Sequence, residues 1–404
     1  MNKRNNFISK TLLVIISMII ISCNGKQFAE NHMIKIFLNG KEIQDEDKVD
    51  CSIELTDSNS KELINGEIEY RGSSSKVYPK RSYSVTFKVD KPIQWKGFKL
   101  KGDWVLYAPY ADRTCVRNTL AQYLFGAMGH YTTKSIFVDL YINNDYAGLY
   151  ELREKINLEK NGLDTIKGIF KFDKTTGKKK NKSHSLISPN VDILEHDLAS
   201  KISFGEAFST VLNFEKALLN GKKDLSSYAD MNSFVDYFLF SEFANSPDAY
   251  RSSCFFQVLK DGRLSMGPVW DYDLAFGNST LYNGFATKGW RFPMSEAKGQ
   301  SYTPSPNWWS SLYANPGFKL AIQKRWSHVR QTIFADSYID SIVDSLANPI
   351  RPAVEKNFKK WSVIGKPILW TNAPQASYQA EIIYLKQWMS ERARWIDLEL
   401  SKSQ

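Results

Sequence analysis

The chain reads as an α+β protein of two lobes, a β-rich first lobe over residues 33–160 and a mainly helical second lobe over 161–404. Three observations predict this. Residues 82–89 alternate strictly, with Tyr83, Val85, Phe87 and Val89 on one face and Ser82, Ser84, Thr86 and Lys88 on the other, as in a half-buried strand. Far downstream, Tyr378, Ile382, Leu385, Met389, Ala393, Ile396 and Leu400 recur at helical steps. Between them, inside the helical half, residues 254–266 read as a lone β-hairpin. Its first strand is apolar and aromatic, Lys260-Asp261-Gly262 is the turn, and Gly267-Pro268 closes the returning strand.

Taken in order, residues 1–22 carry Lys3, Arg4 and Lys10, then an apolar run over 11–21 that ends at Ser22-Cys23. The run is too short for a comfortable membrane span and has the layout of a bacterial lipoprotein signal, with an ordinary signal peptide or N-terminal anchor as the alternative. Cys23 is then the expected lipid-bearing residue, and 23–32 a tether. Residues 33–44 suggest a hairpin turning at Asn39-Gly40, and 44–50 an acidic surface loop. Strands are expected at 51–56, 64–71, 82–89 and 104–109. A helix is expected to start at Asp112, to bury Leu120, Tyr123, Leu124 and Met128, and to end at Gly129. A second hairpin, 135–152, turns at Asn143-Asn144-Asp145 and carries Glu151 and Glu154 at its far end.

The Lys-, Gly- and Ser-rich stretch 171–184 is a solvated surface loop. Helices follow at 204–219 and 231–244, the latter stopped by Asn245-Ser246-Pro247. After 278 a loop rich in Gly and aromatics runs to about 306, and helices are expected at 318–334 and 338–346.

Composition narrows the function. Hydrophobic residues make up 43% and aromatics 14% of the 404, enough for a large folded body. The formal net charge of +10 falls when residues 1–22 are removed, leaving a moderately basic protein suited to acidic or phosphorylated partners. No basic stripe interleaved with aromatics marks nucleic acid as a partner. Cys51, Cys115 and Cys254 are widely spaced, with no CxxC pair for zinc. The five histidines are scattered, and neither HExxH nor GxSxG occurs, which leaves hydrolase chemistry without support.

Two features carry chemistry. The hairpin at 254–266 folds Asp248 and Asp271 back to one end. Carboxylates paired in this way either hold a divalent metal and activate a hydroxyl, or cap turns. The second feature is Arg71-Gly72-Ser73-Ser74-Ser75, a small polar loop followed by Lys80 and the strand that carries Lys88. It is either a plain turn or a phosphate cradle of backbone N–H groups and a cation. Cations on one lobe and carboxylates on the other suit a nucleoside triphosphate in a cleft.

Several blocks in order resemble the CotH-type atypical protein kinases over nearly all of the chain after Cys23. They are Arg71-Gly72-Ser73-Ser74 with Tyr78-Pro79-Lys80-Arg81-Ser82-Tyr83, residues 104–112 with Arg117-Asn118, and Phe137-Val138-Asp139-Leu140-Tyr141 with Gly148-Leu149-Tyr150 and Glu154. Asp248-Ala249-Tyr250-Arg251 and Gly267-Pro268-Val269-Trp270-Asp271-Tyr272-Asp273 complete the set.

The resemblance implies a kinase-like two-lobed fold and transfer of phosphate from ATP, with Mg2+ or Mn2+, to Ser or Thr hydroxyls of a protein substrate. Asp248 is then the base that orients the acceptor hydroxyl, Asp271 a metal ligand, and Asp273 its assistant. Lys80 contacts phosphates and is held by Glu154 in an ion pair, while Arg71, Ser73 and Ser74 form the phosphate-side loop. Lys88 is the alternative cation. One departure stands out. Many kinases carry a metal-binding Asn a few residues after the catalytic Asp, and here Arg251, Ser252 and Ser253 occupy those places. This keeps open a second reading, a non-catalytic surface or periplasmic lipoprotein on a kinase-like scaffold.

Overall fold

The computed structural model describes residues 32–45, 47–56, 60–156, 165–172, 182–184, 192–195, 202–296 and 308–402. The expected signal peptide, Cys23 and most of the tether lie outside the described residues, as does most of the 171–184 loop. The chain is α+β and divides into two compact units, neither continuous in sequence. The first comprises residues up to 115, 134–155 and 341–364, and the second 116–133, 156–340 and 365–404. These units differ from a single division near residue 160 by two exchanges: 116–133 counts with the second unit and 341–364 with the first.

The first unit is a closed seven-stranded barrel rather than an open kinase-like sheet. Around it run β1 (Met33–Phe37), β2 (Val49–Thr56), β3 (Lys61–Arg71), β4 (Ser82–Phe87), β7 (Gly102–Tyr107), β9 (Asp145–Glu154) and β8 (Ser135–Ile142). Neighbours pair antiparallel except at the seam, where β1 pairs parallel with β8 from Met33↔Asp139 to Ile36↔Ile142. Asn39-Gly40 forms a turn, but β1 finds its antiparallel partner only at β2. Period-two alternation sends Ile34, Ile36, Ile53, Leu55, Val85, Phe87, Trp104, Leu106, Val138, Leu140 and Leu152 into the barrel core. The short pair β5 (Ile93–Trp95) and β6 (Phe98–Leu100) adds Trp95, Phe98 and Leu100 to that core.

The part of helix Asp336–Lys360 that belongs to this unit, with the residues after it, is sealed onto the β8–β9 hairpin by polar contacts. The Asn357 side-chain oxygen accepts from Leu149 N (3.0 Å) and from Lys80 Nζ (2.9 Å), and Lys80 Nζ also donates to Leu149 O (2.5 Å). Trp361 Nε1 donates to Ala147 O (2.8 Å), and Lys356 Nζ bonds Asp139 (2.7 Å) and Tyr141 (2.9 Å). Gly148 permits this approach. Its φ is +129°, and a Cβ there would lie 2.7 Å from Asn357 Oδ1 and 2.8 Å from Lys80 Cε. The helix contains Pro349 and Pro352, which explains why apolar spacing alone suggests a stop near 346.

The second unit holds a five-stranded sheet in the order β11 (Lys182–His184), β12 (Asp192–Glu195), β10 (Ile166–Phe172), β13 (Cys254–Leu259) and β14 (Leu264–Met266). The expected hairpin is therefore the edge of a larger sheet. In chain order the helices are α1 (Arg117–Ala127), α2 (Phe204–Leu219), α3 (Met231–Ala244), α4 (Arg291–Glu296), α5 (Trp308–Ala314), α6 (Pro316–Arg330), α7 (Asp336–Lys360) and α8 (Tyr378–Ser401). All but the later part of α7 belong to this unit. Asp112 does not open α1. It forms a turn, its Oδ1 accepting from the N–H and hydroxyl of Thr114 (3.0 and 2.6 Å), and Cys115 follows at φ +60°. The three described cysteines, Cys51, Cys115 and Cys254, are buried.

Two outcomes follow for the seal around Lys80. Asn357→Leu strands the buried Leu149 N–H and one Lys80 N–H, and is expected to cost about 2–4 kcal/mol in denaturant unfolding. Burial holds the Lys80 amine down to about 7, from 10.5. Between those values the unfolded chain keeps the proton that the folded chain has lost, so stability rises with pH across this window, and the penalty is complete below it. Lys80→Met is expected to remove that slope in a pH series of denaturant midpoints.

Candidate functional site

The predicted residues fall into both units and are taken unit by unit. In the first, Lys80 is 2% exposed. Its Nζ directions go to Leu149 O, Asn357 Oδ1 and the Tyr150 ring, 4.7 Å to the centroid. An ammonium has three N–H directions, so none is left for a phosphate oxygen. The expected Lys80–Glu154 ion pair is not formed, and Glu154 Oε2 instead accepts from Lys134 N (3.1 Å). The sequence pattern misleads here because β9 runs its residues past Lys80 at Leu149, not at its end. The alternative cation, Lys88, sits on the barrel surface in ion pairs with Glu67 (2.6 Å) and Asp50 (2.9 Å). Arg71 ends β3 opposite Ser82, and Gly72 turns at φ +112°. Ser73 and Ser74 are exposed at the start of a 3-10 turn, Ser74–Val77.

In the second unit, the carboxylates are positioned by one helix end and one hairpin. Helix α3 is buried along its length and ends at Asn245, whose left-handed φ of +45° turns the chain out of the helix. Residues 246–253 form a tight turn. Asp248 N donates to Ser246 Oγ (3.3 Å), and Asp248 O accepts from Ser252 N (3.0 Å) and Arg251 N (3.2 Å). The chain then enters β13, which pairs with β14 at Phe256↔Met266, Gln257↔Ser265 and Val258↔Leu264, with Gly267 N donating to Phe255 O (2.9 Å).

Past Gly267 the chain comes back to the turn at Asp271. Ser253 Oγ donates to Asp271 Oδ2 (3.2 Å). Burial pushes the Tyr272 phenol up. Asp248, Asp271 and Asp273 are all half-buried, open enough to receive a ligand. Asn278 Nδ2 donates to Asp273 O (2.7 Å).

A buried polar network lies behind this turn, and the sequence reading passed over it. Glu242, fully buried in α3, accepts from Tyr250 OH (2.9 Å), Arg291 N (2.6 Å), Phe292 N (2.9 Å) and Arg392 NH2 (3.4 Å). Burial pushes its carboxyl up, opposed chiefly by Arg392. Arg291 donates to Asn245 Oδ1 (2.9 and 2.6 Å) and to Tyr282 O (2.7 Å), and the Asn245 amide nitrogen donates to Ala286 O (2.9 Å). Arg251 lies 4.0 Å over the Tyr282 ring and donates to Pro247 O. The signal for this network was in the sequence: one Glu among the apolar residues of FLFSEFA.

Asn118 was also missed as a site residue. It is in the first turn of α1, and its Oδ1 accepts from Tyr272 N (2.7 Å). A cavity of about 500 Å3 opens at the other end of the hairpin, beside Asp261 and Arg263, and none of the predicted residues line it.

Among the described residues no group of three or more His, Cys, Asp or Glu is placed to hold a metal ion. What the geometry provides is the turn that carries Asp248, joined to the Asp271 segment by the Ser253 hydroxyl.

The sequence model described as CotH kinase protein matches residues 68–396. The chain is also 21% identical over 332 residues to the inner spore coat protein H of Bacillus subtilis (strain 168), covering 78% of this chain and 83% of that one. The match takes in most of the barrel and the whole of the carboxylate turn, and the protein belongs to the CotH kinase family.

Proposed function

We propose that this protein transfers the terminal phosphoryl group of ATP to Ser or Thr hydroxyls of a protein substrate. The observation that carries the reading is the meeting of the Asp248 turn and the Asp271 segment through Ser253. Family membership supports the same chemistry. Asp248 orients the acceptor hydroxyl and takes its proton as the new O–P bond forms and ADP departs. Asp271, assisted by Asp273, would hold the divalent cation. Mg2+ is commonly held by one or two carboxylates and the phosphates themselves, so a pair of Asp residues fits a metal that arrives with the nucleotide. With bound Mg2+ or Mn2+, the charge developing on the transferred group is neutralised.

Lys80 has no part in this version, because its donors are consumed within the barrel. The basic N-terminal residues, the apolar run and Cys23 support a place in the cell envelope, lipid-anchored to a bacterial membrane through Cys23. The sealed Lys80 and the absence of a Lys80–Glu154 pair favour a second reading, a non-catalytic lipoprotein scaffold.

Thermal unfolding separates the readings. An ATP-binding chain gains about 2.7 kcal/mol at a nucleotide concentration a hundred times Kd, and a pure scaffold gains nothing. Asp271→Asn is expected to abolish the stabilisation by ATP with Mg2+ together with phosphate transfer. Asp248→Asn is expected to keep the stabilisation and to lower transfer from labelled ATP at least about a hundredfold. Unchanged transfer in both variants rejects the assignment.

A further inference from the structure

We infer that Asn118 positions the Asp271 segment and presents its amide nitrogen to an oxygen of the phosphate group received there. The inference rests on the phosphotransfer reading above and deepens it.

Asn118 is 4% exposed, and its side chain reaches the Tyr272 N–H at 2.7 Å. A backbone N–H can only donate, so the oxygen end of the amide faces it and the nitrogen end faces away. That nitrogen is buried and has no acceptor among the described residues. One helical turn on, on the same face of α1, Gln122 Nε2 is buried in the same condition, at 5% exposure.

A buried donor without an acceptor costs about 1–3 kcal/mol. Such a group persists where an oxygen-bearing partner completes it. The partner is anionic on three counts. The orphaned atoms are donors only. The first turn of α1 contains Arg117 and no acidic residue. This helix end also carries the positive pole of its dipole.

Location ties the partner to the site. The peptide that Asn118 grips joins Asp271 to Tyr272, and Asp271 is held at φ +59°. A phosphate group received at Asp271 would therefore come close to the Asn118 side chain. Asn118 thus supplies, from a different element, a side-chain amide that the Arg251-Ser252-Ser253 turn lacks. It supplies a donor to the anion, not a ligand to the metal.

The test measures binding of ATP with Mg2+ by calorimetry, binding of Mn2+ alone, and the ligand-free thermal midpoint. Asn118→Asp keeps an acceptor for Tyr272 N–H and removes the donors. It is expected to keep the midpoint within a few degrees of the parent and Mn2+ affinity undiminished, while ATP affinity falls at least tenfold. Asn118→Ser, which adds no charge, is expected to lose ATP affinity at least several-fold. Asn118→Leu also removes the acceptor and is expected to lower the midpoint. If the parent protein binds ATP and both the Asp and Ser variants bind it equally well, Asn118 is only a structural tie and this inference falls alone. If the parent protein shows no ATP binding at all, the inference falls together with the phosphotransfer reading.

Discussion

The arrangement of the carboxylate turn depends on one contact, the Arg291 guanidinium against the side chain of Asn245. Asn245 must end α3 in a left-handed conformation, which only a few residue types adopt readily. Its side chain is then occupied on both ends, the oxygen by Arg291 and the nitrogen by the carbonyls of Asn283 and Ala286. The turn and the 279–291 loop are thereby one unit. Arg251 over Tyr282 and Arg291 at the Tyr282 carbonyl join them a second time. Glu242 completes the arrangement from below, its carboxylate shared by Tyr250 of the turn, the N-terminus of α4 and Arg392 of α8. Desolvating three charges costs several kcal/mol per ion before pairing offsets it. What results is a fixed relation between one short turn and three elements distant in sequence.

The first unit applies the same device to a different end. Lys80, Asn357 and the Leu149 peptide form a closed set of donors and acceptors around Gly148. A lysine beside a polar loop resembles a phosphate ligand in sequence, because the cation is visible and its surroundings are not. Depressed basicity is itself a common mark of functional lysines, yet structural burial produces it equally well. Here the geometry decides: every direction from the nitrogen meets a group that belongs to the barrel or to the helix sealed on it.

Legibility in the sequence followed the range of the interactions. Helices α2 and α3, the β13–β14 hairpin and the inward face of β4 were all readable, since each is written in spacing of a few residues. The barrel was not. Its closure needs β1 to pair in parallel with β8, about a hundred residues on, and local alternation is the same for an open sheet and a closed one. The length of α7 was masked by Pro349 and Pro352, residues that usually end a helix. Of the candidate site, the return of the chain to bring Asp271 beside Ser253 was legible because a hairpin turn signals it. The partner of Asn118 and all but one partner of Glu242 were not, since they lie 49 or more residues away.

The backbone itself argues that this turn is built for more than connection. Asn245, Tyr250, Ser253, Asp271 and Phe276 all have positive φ and none is glycine. Left-handed conformations cost roughly 1–2 kcal/mol for Tyr250, Ser253 and Phe276 and less for Asn245 and Asp271, so the short segments around the two carboxylates hold a few kcal/mol of unfavourable geometry. A connecting loop has no need of this, since glycine at the same places would relieve it. The strain is retained because each residue's side chain is in use: Asn245 on Arg291, Tyr250 on Glu242, and Ser253 on Asp271. Substituting glycine would relax the backbone and break the contacts that aim the carboxylates. Strain concentrated around Asp248 and Asp271, and held there by buried charges, fixes the shape of this turn.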